Sequence, residues 1–359
     1  MHTLGTHFEL LLRNIRPPED RLEAAKTLPP KVRNFLKDSE DFPTVEPHSR
    51  LVGSYAQDLA VGDVKDVDLL VRVAGNPEAN EPEAKKLIAS LKDAVDSLPE
   101  ALGFDGWAGV DIEGARRSVH VYIKGRDFHL DIVPAIAPDG FESELYVPDK
   151  GFNKWIVSHP IGYIKLLTEL NEKNGRKVRP LAKLLKHFRN HHMKQRRPKS
   201  YWLGALVVHH VGQTLDTTQP LAVIFCELLD GIYKQYASLL GRTDGATPNI
   251  PDPMLGHNIS WNWSRTHFET FMARVDEGRK WATKALEAEE PADAVTYWQR
   301  VFGEEFFPSE VTDEASRVAA GITPGQSKVT QSGLVVPSIS SVRTATPTRP
   351  TTFHGEELV

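Results

Sequence analysis

Two aspartates, Asp66 and Asp68, are separated by one apolar residue in the stretch DVDLLVRV. Apolar residues alternate with other residues over 67–73, which predicts a β-strand whose successive side chains point to opposite faces. The two carboxylates then lie side by side, where their repulsion raises a carboxylate pKa unless a cation lies between them. Mg²⁺ favours oxygen ligands of this kind and binds one or two carboxylates together with substrate phosphates. The alternative is a solvated strand end.

A third carboxylate, Asp131, interrupts the apolar pattern of FHLDIVPAI. Two divalent ions about 4 Å apart usually need a further carboxylate from a neighbouring strand. Asp131 lies between Leu130 and Ile132, where a plain strand would carry an uncharged residue. We therefore predict that it completes a two-metal site with Asp66 and Asp68. The alternative is an acidic residue that faces water on an edge strand.

A Gly-Ser pair, Gly53 and Ser54, precedes these aspartates, with Asp66 twelve residues after the serine. Glycine lets the backbone approach a ligand closely, and the Ser54 hydroxyl and backbone N–H can contact phosphate oxygens. Such a pair alone has no specificity. Followed by Asp-x-Asp and a later strand aspartate, it predicts a phosphate-binding turn beside a two-metal carboxylate site.

The elements around these residues mix helices and strands. Helical periodicity predicts helices over residues 4–15, from there to about residue 36, and over residues 84–98. Two alternating runs, SVHVYIKG and FHLDIVPAI, predict strands that residues 125–127 join as a hairpin.

Composition divides the chain into three segments. Residues 1–158 predict an α+β lobe, a mixed sheet with flanking helices that include the N-terminal ones. Residues 159–307 predict a helical lobe. Residues 308–359 are rich in Ser, Thr, Pro and Gly with few large apolar residues, which predicts a flexible tail.

Charge and hydropathy argue against duplex DNA and membranes as partners. The formal net charge of -5 gives no global basic field for binding nucleic acid. No stretch approaches the ~18 apolar residues that span a bilayer, and the N-terminus does not resemble a cleavable signal. The single cysteine, Cys226, has no disulfide partner within the chain and indicates a reducing compartment. We expect a cytoplasmic protein.

The order Gly-Ser, Asp-x-Asp and a later strand aspartate resembles that of the polymerase-beta-like nucleotidyltransferases. The stretches SHPIGYIKLLTELNEKNGRKVRPLAKLLKHFRNHH, PKSYWLGAL and EEPADAVTYWQRVFGEEF are similar to those of the bacterial cGAS/DncV-like nucleotidyltransferases, the oligonucleotide cyclases of anti-phage signalling. The resemblance covers roughly residues 4–307. It implies a polymerase-beta-like lobe and a helical lobe with an NTP in the cleft between them.

This resemblance implies roles for the five residues already considered. Gly53 and Ser54 match the turn that contacts the triphosphate. Asp66, Asp68 and Asp131 match the catalytic triad that binds two Mg²⁺ ions, or Mn²⁺ in their place.

Further nucleotide-binding residues follow from the same resemblance. Lys186 matches a helix lysine that reaches donor phosphates, and Lys183 shares its helix face one turn earlier. Ser200 and Tyr201 match a pair in which the serine contacts phosphate and the aromatic ring stacks on the donor base. Many relatives carry Glu near Gly204, and its absence leaves the base preference open.

The implied activity is the joining of NTPs, ATP among them, into a cyclic di- or trinucleotide with release of pyrophosphate. A linear nucleotidyltransferase that tails RNA, or transfers AMP to a protein or small molecule, would share every catalytic residue. A non-catalytic nucleotide-binding scaffold would be expected to lack a metal ligand, and a metal-dependent glycosyltransferase would not need the Gly-Ser turn.

The tail ends in TTFHGEELV, which contains Phe353 in an acidic, apolar motif suited to a partner's groove. Related cyclases are regulated by partner proteins, so the resemblance implies a regulatory partner at the C-terminal tail. The alternative is an inert terminus.

Overall fold

The computed structural model describes residues 2–62, 66–101, 110–123 and 128–310, together with 327–329, 335–337 and 346–347. The chain divides into two units. The sheet unit comprises residues 17–169 with 254–256, and the helical unit comprises residues 1–16, 170–253 and 257–359.

A seven-stranded mixed sheet organises the sheet unit. Its strands are β1 (Ser49–Val52), β2 (Asp66–Val73), β3 (Val110–Gly114), β4 (Val119–Ile123), β5 (Phe128–Ile136), β6 (Leu145–Asp149) and β7 (Lys154–Ser158). The main order is β1-β2-β5-β4-β3, and β6 pairs with both β5 and β7. Only β2 and β5 pair in parallel; the other pairs between these strands are antiparallel.

Two helices, α2 (Glu19–Lys37) and α4 (Ala84–Asp96), pack on one face of this sheet. The alternation within β2 aims its apolar side chains at them, so that Val67, Leu69 and Val71 are fully buried. The short helices α3 (Gly53–Ala56) and α5 (Leu98–Ala101) complete this part of the unit. The predicted facing of residues 66–73 is confirmed.

The opposite face of the sheet is divided between apolar and polar residues. Leu70 lies in a smaller apolar cluster with Ala135, Phe141 and Ile161. Further along β2, the same face carries aspartates instead. The chemistry of the site is therefore confined to one end of this face.

The helical unit contains α1 (Gly5–Asn14), α7 (Val178–His192), α8 (Ser200–Gln213), α9 (Leu221–Leu240), α10 (Arg265–Glu287) and α11 (Pro291–Phe302), while α6 (Pro160–Lys173) includes the boundary between units. An aromatic cluster of Phe8, Trp298, Phe302 and Phe307 lies at its core, each at most 1% exposed. The Phe8 and Trp298 rings meet edge to face with centroids 4.9 Å apart, a favoured aromatic geometry.

The N-terminal helix differs from its predicted grouping. We placed α1 with the catalytic lobe because it precedes that lobe in the chain, but Phe8 packs against α11 residues and α1 belongs to the helical unit. As functional divisions, the segments 1–158, 159–307 and 308–359 stay predictions.

Two predicted features fall largely outside the described residues. These are the connection at residues 125–127, although β4 and β5 pair antiparallel as expected, and most of the tail. Within the tail, β8 (Ser327–Val329) pairs with β9 (Val335–Pro337) and β10 (Thr346–Pro347). In the part of the chain that the structure describes, no helix is long and apolar enough to cross a membrane.

Candidate active site

The three predicted metal ligands share one face of two neighbouring strands. Asp66 and Asp68 are two residues apart on β2, and the parallel pairing of β2 with β5 places Asp68 directly beside Asp131. Alternation alone brings Asp66 and Asp68 together, whereas Asp131 joins them through the register of the sheet.

Burial and mutual repulsion make these carboxylates difficult to ionise together. Desolvation raises the pKa of Asp68 to about 8, with further contributions from the charges of Asp66 and Asp131. Desolvation, followed by the charge of Asp66, raises the pKa of Asp131 to about 7. At neutral pH the cluster therefore either retains protons or needs a cation.

The donor set fits a divalent cation with a preference for oxygen. Carboxylate oxygens suit Mg²⁺ and Mn²⁺, and the buried Oδ1 of Asp131 accepts no hydrogen bond from the described residues.

The Gly-Ser turn lies directly against the aspartates. Gly53 has φ +71°, in the left-handed region, and a Cβ at this position would overlap Asp68 Oδ2 and lie 2.7 Å from its Cγ. Only glycine meets both requirements without strain. Ser54 follows in the first turn of α3, so that Gly53, Ser54 and the three aspartates lie in one region of the sheet unit.

Two histidines beside Asp131 escaped the sequence analysis. His120 pairs with Asp131 across β4 and β5, and His129 precedes Asp131 by two residues on the same face. The Nε2 atom of each imidazole lies 3.4 Å from Asp131 Oδ1. The alternation of the two predicted strands was a usable signal, because it put both histidines on the face of Asp131.

The two predicted lysines lie on α7 of the helical unit. Lys186 is 4% exposed, while Lys183, one turn earlier, is only partly buried. Burial of Lys186 differs from the solvated face that an isolated helix pattern would favour. An ammonium is rarely buried unless a partner or ligand is near.

Ser200 and Tyr201 begin α8 in the same unit, and each has a defined partner. The Ser200 hydroxyl accepts a hydrogen bond from Arg189 Nη2 at 3.1 Å. The Tyr201 hydroxyl donates to Oδ2 of the buried Asp252 at 3.0 Å. Arg189 and Asp252 thus hold two predicted nucleotide contacts in fixed positions, and neither was identified from sequence.

Comparison with known proteins gives one family match. Residues 1–171 match the model of the Second Messenger Oligonucleotide or Dinucleotide Synthetase domain, SMODS. This segment contains every residue of the aspartate site and of the Gly-Ser turn.

Curated relatives match over most of the chain. The chain is 28% identical to the "Cyclic AMP-AMP-AMP synthase" of Acinetobacter sp. over 85% of each protein. It is 23% identical to the "Cyclic AMP-AMP-AMP synthase" of Escherichia coli over 80% of this chain and 91% of that protein.

Solved structures share the fold at lower identity. E. coli MS115-1 CdnC with ATP has a TM-score of 0.63 and 18% identity, covering 85% of this chain and 99% of that one. Bradyrhizobium diazoefficiens CdnG in complex with GTP has a TM-score of 0.64 and 16% identity, covering 84% and 95%.

Proposed function

We infer that the chain is a cyclic oligonucleotide synthase of the bacterial cGAS/DncV-like nucleotidyltransferases, and we propose that its product is a cyclic trinucleotide of three adenylates. The observation that carries the base assignment is the name shared by two relatives that match at least 80% of this chain, both cyclic AMP-AMP-AMP synthases. We further propose that the product is a second messenger in anti-phage defence.

The proposed reaction begins with two nucleotides bound near the aspartates. A ribose hydroxyl oxygen of one forms a bond to the α-phosphorus of the other, the α–β P–O bond breaks, and pyrophosphate leaves in line. Two such transfers and a final ring closure give the cyclic product and release three pyrophosphates, one for each ATP.

Asp66, Asp68 and Asp131 are the residues that would hold two Mg²⁺ ions. The ions would stabilise charge on the phosphates and lower the pKa of the attacking hydroxyl. The chain's own contribution is to place three carboxylates on rigid strands, where their positions need no rearrangement during the reaction.

The remaining predicted residues bind the nucleotide. The Gly53 turn lets the Ser54 hydroxyl and backbone N–H approach phosphate oxygens, and Lys183 and Lys186 supply positive charge for the triphosphate. Ser200 contacts phosphate and Tyr201 stacks on the base. Hydrogen bonds from Arg189 to Ser200 and from Tyr201 to Asp252 support these roles because they limit the motion of both side chains.

The linear alternative has no observation in its favour. RNA tailing or AMP transfer would use the same aspartates, so the site alone does not discriminate. The relatives with the greatest coverage are named as cyclic synthases, and the formal net charge of -5 does not favour RNA as a substrate.

A protein partner at the C-terminal tail is a separate proposal. The E. coli MS115-1 CdnC:HORMA-deltaN complex, with a TM-score of 0.61 over 81% of this chain, is a neighbour that assembles with another protein. We propose that this chain is also regulated by a protein and that TTFHGEELV contributes to its recognition.

The test is incubation of the purified chain with each NTP alone and with all four, in Mg²⁺ and in EDTA. Phosphatase treatment followed by mass analysis should leave one product, of the mass of cyclic tri-AMP, when ATP is the only nucleotide. The control is the Asp66→Asn, Asp68→Asn double variant, which should give none. A phosphatase-sensitive product would overturn cyclisation, and a resistant product that needs another NTP would overturn the base assignment.

A further inference from the structure

The polar face of the sheet contains a second ligand arrangement beside the aspartate pair. Among the described residues, one ligand atom from each of His120, His129 and Asp131 lies within 4.8 Å of the others. Both Nε2 atoms lie 3.4 Å from the same oxygen, Asp131 Oδ1. All three residues lie on the paired strands β4 and β5, so the arrangement does not depend on a loop.

These separations match those of ligands around a four-coordinate transition metal. Zinc lies about 2.0–2.1 Å from imidazole nitrogens and carboxylate oxygens, so two ligands at the tetrahedral angle are about 3.4 Å apart. The two nitrogen-to-oxygen distances have this value without any rearrangement. Asp131 Oδ1 is buried and accepts no hydrogen bond from described residues, which leaves its lone pairs for a metal.

The surroundings also supply an orienting partner. His120 Nδ1 lies 3.1 Å from the Tyr122 hydroxyl, so Nε2 is the nitrogen that faces Asp131. Metal-binding histidines commonly use their other ring nitrogen in such a hydrogen bond.

Nitrogen ligands select against Mg²⁺. Imidazole suits Zn²⁺ and other late transition metals, whereas Mg²⁺ takes oxygen ligands and keeps much of its water. The aspartate pair and the histidine pair therefore differ in metal preference, and Asp131 belongs to both.

We propose that His120, His129 and Asp131 bind one Zn²⁺ ion, with a fourth position open to water. Occupation of this site withdraws Asp131 from the Mg²⁺ ions of the aspartate site, so Zn²⁺ inhibits nucleotide transfer. The binding site itself does not require the proposed reaction, whereas the inhibition rests on the proposed function.

Binding is tested on the full chain without nucleotide, by Co²⁺ absorption and by calorimetric titration with Zn²⁺. Four-coordinate Co²⁺ absorbs visible light much more strongly than octahedral Co²⁺, so a stoichiometric intense spectrum that Zn²⁺ abolishes is expected. His120→Asn and His129→Gln should each weaken Zn²⁺ binding by more than ~10-fold, since even the loss of an outer partner costs ~10–100-fold. His257→Gln, at an exposed histidine outside the cluster, is the matched control.

A second arm separates the zinc site from the catalytic assignment. Asp66→Asn should retain the four-coordinate Co²⁺ spectrum while turnover is lost. With free Zn²⁺ fixed by a metal buffer, wild-type turnover in Mg²⁺ should fall, and His129→Gln should need at least ~10-fold more Zn²⁺ for the same fractional inhibition.

Each outcome decides a different claim. An octahedral spectrum, or Zn²⁺ affinity equal in wild type and both histidine variants, would overturn the zinc site. Histidine-dependent Zn²⁺ binding without inhibition of turnover would overturn the competition for Asp131. An inactive wild type with an intact Co²⁺ site would contradict only the proposed function.

Discussion

Among the aspartates of the site, Asp68 is the one whose ionisation opposes folding most, because its carboxyl group is buried and faces two other carboxylates. We predict that Asp66→Asn with Asp68→Asn lowers turnover by at least ~10³-fold, since loss of preorganised charge at a reacting phosphate removes several kcal/mol. Pyrophosphate release measures turnover, and circular dichroism checks the fold. A folded double variant with turnover within tenfold of wild type would contradict the site.

The raised carboxylate pKa values also predict how stability depends on pH in the absence of metal. The Asp68 pKa is raised from 3.8 to about 8, so the folded chain holds a proton that the unfolded chain releases between these values. Stability is therefore greatest below pH ~4 with respect to this group and falls as pH rises toward ~8.

We expect the double Asn variant to melt higher than wild type in EDTA at pH 8, by at least about 2–4 °C, the shift that 1 kcal/mol gives in a domain of ~150–250 residues. The difference should shrink toward pH 4, and Mg²⁺ should raise the wild-type Tm alone. Melting curves across this pH range measure it. A Tm difference that does not vary with pH would show that ionisation of these aspartates does not destabilise the fold.

Gly53 gives a sharper test of the turn. Gly53→Ala should lower turnover by ~100-fold or more, because the new Cβ displaces the Asp68 carboxylate, and such misplacements cost about that much. Gly140→Ala is the control, since Gly140 also has positive φ, +83°, but nothing within 4 Å of its Cβ position. Both variants should lose ~1 kcal/mol of stability. Equal turnover in the two would remove the steric argument.

The sequence analysis identified the site residues that local patterns encode. Asp66 and Asp68 follow from alternation, and Gly53 from its spacing to them. Asp68 and Asp131 are 63 positions apart in the sequence, and their contact depends on the parallel register of β2 with β5, which periodicity does not contain. Alternation places His120 on the face of Asp131, but its position opposite Asp131 depends on a second register, that of β4 with β5.

At the scale of elements, the predictions succeeded where apolar alternation is long. The run FHLDIVPAI is β5 from its first residue to its last, and residues 66–73 form β2. Four strands of the seven-stranded sheet were not predicted, namely β1, β3, β6 and β7. Strand β1 has only four residues, β3 buries none of its side chains fully, and burial does not alternate regularly along β6 and β7.

At the scale of elements, the prediction concerns Tyr201 at the start of α8. Tyr201→Ala should raise the KM for ATP more than it lowers kcat, because stacking acts in ground and transition states alike. We expect an increase of about 5–150-fold, corresponding to the ~1–3 kcal/mol that base stacking contributes. Steady-state kinetics at saturating Mg²⁺ provide the measurement.

Tyr201→Phe is the matched control, since it keeps the ring but removes the hydrogen bond to Asp252. Its KM should change much less than that of the alanine variant. If both variants raise KM equally, the hydroxyl rather than the ring is the important group. If only kcat falls, the proposed stacking of the Tyr201 ring on the base is contradicted.

For the whole molecule, the residues that follow α11 pack against the N-terminal helix. Phe307 is fully buried and contacts Phe8 with ring centroids 5.5 Å apart. Composition predicts a change near residue 308, and the fully buried Phe307 lies just before it. The helical unit is thus closed by α1 and residues near 307, which are far apart in sequence and could not be paired from periodicity.

This boundary makes the tail separable by deletion. Removing residues 320–359 leaves Phe307 and its whole aromatic cluster in place, so we predict an unchanged Tm and turnover within about twofold of wild type, as expected for changes outside packed elements. Binding to a regulatory protein partner should instead weaken by at least ~10-fold, because the acidic, apolar end is lost. Pull-down and titration with a candidate regulatory protein measure this. Phe353→Ala is the matched point variant and should reproduce most of the loss.

Reduced turnover in the truncation would mean that the tail supports the catalytic units, and unaltered partner binding would mean that recognition lies elsewhere.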